Sequence, residues 1–258
     1  MNIDPIPGNV PPTIPPRTPI SPAPGLQKLG ENPEEREPIP NMVVAIEAVL
    51  RQPRRIMYQL RQPGSGKLIG SMLLATIICI LVYGLVVGSF SMHDQLWAAP
   101  VKLALGLLLT SLICLPSLYI FTCLSGSQAR LAEMVGLLSG LLMLMTLLLV
   151  GFAPVAWLFS QSTNSIVWMG VLHLLFWFIA VFFGLRFLEA GFSHTQARSA
   201  AGLNTWIIIF VLVAIQMTTA LRPIIGTSKT FLPTEKRFFI SHWGDNLEKA
   251  AKDSRSPD

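Results

Sequence analysis

The chain has 258 residues, 52% of them hydrophobic and only 13% charged, with a mean hydropathy of +0.55. Soluble domains carry about a quarter charged residues, so this composition excludes an ordinary soluble globule and points to a membrane protein. The formal charge of +5 and the pI near 9.4 come from basic residues set beside apolar runs, not gathered in a basic domain. That placement makes anionic lipid the expected partner and argues against nucleic acid.

Residues 1–40 hold 12 of the 20 prolines and end in an acidic patch of Glu31, Glu34, Glu35 and Glu37. A segment with so little apolar side chain is expected to be an extended, polyproline-like or disordered arm. Its PPTIPP run supplies a P-x-x-P pattern, a weak docking signal. Prolines stand where the apolar core of a signal peptide would be, so the first span is expected to act as its own insertion signal.

Over residues 41–67, Met42, Val43, Ile46, Val49, Leu50, Ile56, Met57 and Leu60 recur at helical spacing, opposite a basic set. Asn41 is the expected N-cap, and Pro53 should kink or split the helix after Gln52. This predicts an amphipathic helix in the bilayer surface, with Arg51, Arg54, Arg55, Arg61 and Lys67 on anionic headgroups.

Five apolar stretches follow, at about 68–90, 101–123, 131–159, 166–187 and 203–221. The first rises about 34 Å as a helix, enough to cross a hydrocarbon core of about 30 Å. Backbone groups in hydrocarbon must be satisfied internally, and runs of this length suit helices better than barrel strands. The expected fold is an all-α polytopic bundle of five transmembrane helices, with interfacial amphipathic helices at both ends.

Lys and Arg place the N-terminus in the cytoplasm: the basic set before the first span is joined by Arg130, Arg186 and Arg198 in alternate loops, while the SQSTNS loop has none. Trp97, Trp157 and Trp168 then fall at outer helix ends and Trp206 at the inner interface. Arg222, Lys229, Lys236 and Arg237 count against an external tail. The larger N-terminal cluster decides for five spans, with a sixth, re-entrant crossing as the alternative.

Within the spans, Gly84 with Gly88 and Gly136 with Gly140 form small-x-x-x-small pairs suited to close helix packing. Pro116 and Pro154 predict kinks. His173 is the one strongly titratable residue deep in a span, a candidate polar site, although a neutral histidine bonded to a neighbouring hydroxyl or carbonyl is the simpler role. Lys102 is expected to snorkel to headgroups and Arg186 to pair with Glu189. Cys79, Cys114 and Cys123 read as small buried hydrophobes with no metal-ligand spacing. No G-x-S-x-G, H-E-x-x-H, P-loop or C-x-x-C motif occurs, so neither enzyme activity nor a cofactor is expected.

Residues 222–258 mix Phe231, Phe238, Phe239 and Trp243 with charge, which suits a partner-docking segment or a second interfacial helix. A proline-rich arm, the lead-in IEAVLRQPRRIMYQL, five clustered spans and a short tail together resemble the Yip family of five-span membrane proteins. The resemblance implies a non-enzymatic protein that organises membranes or recruits partners. The leading expectation is thus a scaffold or accessory subunit of a larger complex, binding other membrane proteins in a bacterial inner membrane. A small-solute or ion transporter is the alternative, motivated by Pro116, Pro154 and His173.

Overall fold

The computed structural model describes residues 29–89, 95–127, 129–162, 166–195 and 201–220. These form eight helices and, among the described residues, no strand: α1 (Pro33–Arg36), α2 (Met42–Arg51), α3 (Pro53–Leu60), α4 (Gly66–Ser89), α5 (Gln95–Leu124), α6 (Leu131–Ser162), α7 (Ile166–Ser193) and α8 (Ala201–Ala220). Four of them, α4 to α7, are long and apolar enough to cross a membrane; α8 is apolar over the shorter stretch Ala201–Met217. Helices α5 and α7 outrun the expected spans, starting at Gln95 and ending at Ser193. Their backbone hydrogen bonds close within the helix wherever the hydrocarbon ends, so polar flanks do not stop them.

Helix α6 is the centre. It packs on α4 and α7, α5 packs chiefly on α4 and also touches α6, and α8 packs chiefly on α5. Glycine notches set the α6–α7 contact. A Cβ on Gly140 would fall 2.5 Å from Phe187, one on Gly184 2.6 Å from Met145, and one on Gly191 2.3 Å from Leu137. The paired numbers rise on one helix as they fall on the other, so α6 and α7 run antiparallel with side chains of each seated in gaps of its neighbour. Helices α4 and α5 meet at Gly84, where a Cβ would lie 2.4 Å from the Pro100 Cα. Gly88 is buried one turn further along α4.

The amphipathic segment forms α2 and α3. Asn41 Oδ1 accepts from the Val44 amide at 3.0 Å, and the break falls at Gln52, before Pro53. Most of its apolar stripe turns inward: Val49, Ile56, Met57 and Leu60 are buried together with Ala45 and Ala48, and Leu60 fills the notch at Gly136, while Val43 and Leu50 stay exposed. With α1 these helices make a platform on one end of the bundle, resting on α4, α6 and α7. Residues 29–40, expected as part of an extended arm, include a helical turn and rest on α3, with Gly30 and Glu35 buried and most of the others exposed.

At the opposite end Trp97, Trp157 and Trp168 are exposed, as expected for an interfacial belt. Trp206 departs from expectation. It is fully buried, stacks on Phe210 and donates its indole N–H to the Cys114 carbonyl at 2.9 Å. Pro116 removes the helical donor of the Leu112 carbonyl, and two residues on, the Cys114 carbonyl takes both Trp206 and the Ser117 hydroxyl. Lys102 departs too: its side chain is buried, 1% exposed, and does not reach out.

Glycine substitutions should rank by what the new methyl meets. Gly84→Ala presses on backbone that cannot swing aside and should cost about 1–3 kcal/mol. Gly191→Ala meets the tip of Leu137 and should cost less, while Gly70→Ala, with nothing within 4 Å, should stay within about 0.5 kcal/mol of wild type. Unfolding titrations in mixed micelles check the order; equal losses at Gly84 and Gly70 would contradict it.

Candidate functional site

Two polar constellations stand out in an otherwise apolar molecule. The first clasps the platform. Gly30, in the left-handed region at φ +87°, turns the chain so that its amide donates to Glu35 Oε2 at 2.5 Å, and a Cβ there would strike the Tyr58 ring. Arg54 Nε donates to Glu35 Oε1 at 2.5 Å, and Arg36 Nε to the Gly30 carbonyl at 2.7 Å. Arg55 reaches the carbonyls of Glu37 and Pro38 at 3.1 and 3.0 Å, and Gln59 reaches the Glu37 carbonyl at 2.9 Å. Arg61 ties the platform to the bundle by donating to the His194 carbonyl, with Glu133 at 4.0 Å. The remaining gap between Arg61, Glu133 and Thr195 is about 10 Å³, room for no more than a water.

The five basic residues expected on lipid therefore divide. Arg54, Arg55 and Arg61 donate to protein. Arg51, paired at 3.5 Å with Glu47 in an exposed i,i+4 contact, and Lys67 face outward. The partners Glu35 and Glu37 were visible as an acidic patch, but nothing local links them to arginines some twenty residues away.

Burial raises the Glu35 carboxyl pKa, but hydrogen bonds from Arg54 and the Gly30 amide outweigh it and hold the group below its ordinary 4.5. His194 is pushed below its ordinary 6.5 by burial and by Arg54 and Arg61, against the opposing pull of Glu35. Both shifts weaken the folded clasp in acid. A depressed histidine loses its contribution as pH falls below about 6.5, and a depressed carboxylate as pH falls below about 4.5.

The second constellation lies inside the bundle. Tyr83 of α4 and His173 of α7 are both buried, and the phenol oxygen sits 2.7 Å from His173 Nδ1 with the rings edge to face at 5.7 Å. Phe176 abuts the imidazole and stacks on Phe152 of α6 at 4.7 Å. His173 Nε2 is buried and, among the described residues, has no partner in either tautomer. The sequence singles out His173 and allows it a hydroxyl or carbonyl partner, but does not point to Tyr83, which reads as one more aromatic in an apolar run.

Arg186 does not pair with Glu189; its guanidinium lies over the Phe182 ring at 5.8 Å. Among the described residues no group of His, Cys, Asp and Glu could hold a metal, and the three cysteines are free. The proposed docking residues Phe231, Phe238, Phe239 and Trp243 lie outside the described residues, as do residues 1–28.

Fold and sites together define a membrane-spanning helical bundle with a clasped terminal platform. Comparison with protein-family models, curated proteins and solved structures finds no match. The Yip-type resemblance therefore stands on sequence pattern alone.

Two predictions follow from these geometries. Lowering the pH from 7 to 4 should lower the deuterium-exchange protection factors of residues 29–62 in nanodiscs, uptake being corrected for the slower intrinsic exchange in acid, while those of α6 hold; Glu35→Gln, costing about 2 kcal/mol, should open the platform at neutral pH. Uniform protection across that range would contradict the acid-weakened clasp. Inside the bundle, Tyr83→Phe strands both imidazole nitrogens and should cost about 1–3 kcal/mol, whereas the double variant Tyr83→Phe/His173→Leu should be more stable than Tyr83→Phe alone by thermal melting.

Proposed function

We propose that this chain is a non-enzymatic multi-pass membrane protein of five spans, α8 being the fifth, that binds partner proteins through segments outside the bilayer. The reading places the N-terminus on the cytoplasmic face of a bacterial inner membrane, as the basic flank of the first span favours. The observation that carries it is the clasp. Through Glu35, Arg54, Arg55 and Arg61 the platform is fixed to the bundle, so Leu29, to which the proline-rich residues 1–28 are joined in sequence, is a fixed mount. A mounted proline-rich segment suits recruitment, since a partner then meets it at a defined place on the membrane. Arg51 and Lys67, exposed on the same end, suit anionic lipid. The Yip-type pattern agrees with this role.

The test is affinity capture from native membranes with the full chain and with residues 1–28 deleted. Specific partners should be lost or reduced at least severalfold on deletion; identical recovery from both would overturn the scaffold reading. One observation favours a transporter instead, the unpartnered Nε2 of His173. Flux in reconstituted vesicles that disappears in His173→Phe would establish that alternative.

A further inference from the structure

An open groove runs along the outside of the bundle beneath the platform, between α2, α6 and α7. Its volume is about 390 Å³, within the range of small-ligand pockets. Val49, Leu50, Leu144, Leu148 and Phe183 line it with hydrocarbon, and Arg186 is its one charged wall residue. Leu50 and Phe183 are about half exposed, at 52% and 50%, so the groove faces outward.

Depth along the helices fixes what surrounds it. Trp168, 71% exposed on α7, marks one membrane interface. Arg186 lies about 27 Å further along the same helix, close to the hydrocarbon thickness of about 30 Å, and so stands at the other headgroup boundary. Leu144 of α6 is about 20 Å from Trp157, which puts the groove floor within the hydrocarbon. The groove thus has a cationic mouth at headgroup level and an apolar floor at acyl-chain level.

Charge selects the occupant. Arg186 is exposed, makes no ion pair among the described residues, and meets only the Phe182 ring. A guanidinium offers two parallel donors to a phosphate. A zwitterionic headgroup brings its own ammonium to that phosphate, whereas an anionic headgroup leaves the arginine as its counterion.

We propose that this groove binds one anionic phospholipid, an acyl chain lying along Leu50, Leu144, Leu148 and Phe183 and the phosphate at Arg186. The site rests on the membrane-spanning reading and not on partner recruitment, so failure of either test leaves the other intact. The full chain, purified in mild detergent and offered equal phosphatidylglycerol and phosphatidylcholine, is read by native mass spectrometry. Wild type should retain phosphatidylglycerol about fivefold over phosphatidylcholine, the ratio expected of one arginine at a headgroup. Arg186→Gln, on the surface and so neutral to folding, should bring the ratio near parity, and Arg186→Lys should keep most of it. Leu148→Trp, filling the floor, should lower binding of both lipids at least threefold with an unchanged elution profile. Equal retention of the two lipids by wild type, or an unchanged preference in Arg186→Gln, overturns the proposal. So does unaltered binding in Leu148→Trp, which would mean that lipid sits elsewhere.

Discussion

Leu60 and Phe187 reach the axis of α6 only because Gly136 and Gly140 present no side chain there, and most of the arrangement depends on that approach. In hydrocarbon there is little hydrophobic gain in bringing one apolar helix to another, so dispersion at short range must hold them. Seating large side chains in notches supplies that contact in both directions across α6 and α7. The same helix takes Leu60 of the platform in its first turns, so one run of small residues organises the bundle and mounts the extramembrane cap. Helix α6 accordingly carries the most buried sequence of any long helix.

Charge is distributed by the same solvent. The described ion pairs all fall at the platform end, where water and headgroups lower the cost of each ion. Within the bundle the polar groups are mostly hydroxyls that return their proton to a carbonyl one turn back, as Thr76 and Thr122 do. Trp206, bonded to Cys114, and the Tyr83–His173 pair reach across helices instead, the latter joining α4 and α7, which scarcely touch by backbone. A buried polar link of that kind is directional where apolar packing is not, and it fixes how α7 is rotated relative to α4.

The helices were legible because their cause is local: length of apolar run, the cap at Asn41 and the break before Pro53 can each be read from a few neighbouring residues. The pairing of small-x-x-x-small motifs with close approach was legible for the same reason, though not which residue fills each notch. Partnerships were not. Arg54 looked like a lipid contact because a basic residue beside a span is attracted to any nearby anion, and the sequence does not rank headgroups against Glu35. Trp206 looked interfacial because tryptophan at a helix end usually is; its buried acceptor, the Cys114 carbonyl, lies on another helix 92 residues away. The groove was invisible because its lining comes from three segments far apart in the chain, and Arg186 read only as a partner for Glu189.

The bond from Trp206 to Cys114 bears on how the last helix finds its place. Helix α8 arrives after α4 to α7 and packs closely on α5, where a Cβ on Gly202 would fall 2.6 Å from the Ser125 hydroxyl and 2.9 Å from the Phe121 carbonyl. A slide of one residue shifts the helix about 1.5 Å and turns it about 100°, which would swing the indole away from the single carbonyl it reaches and leave a bare N–H in hydrocarbon. The indole therefore acts as a latch, adding a directional bond to the one alignment that the close packing at Gly202 already favours.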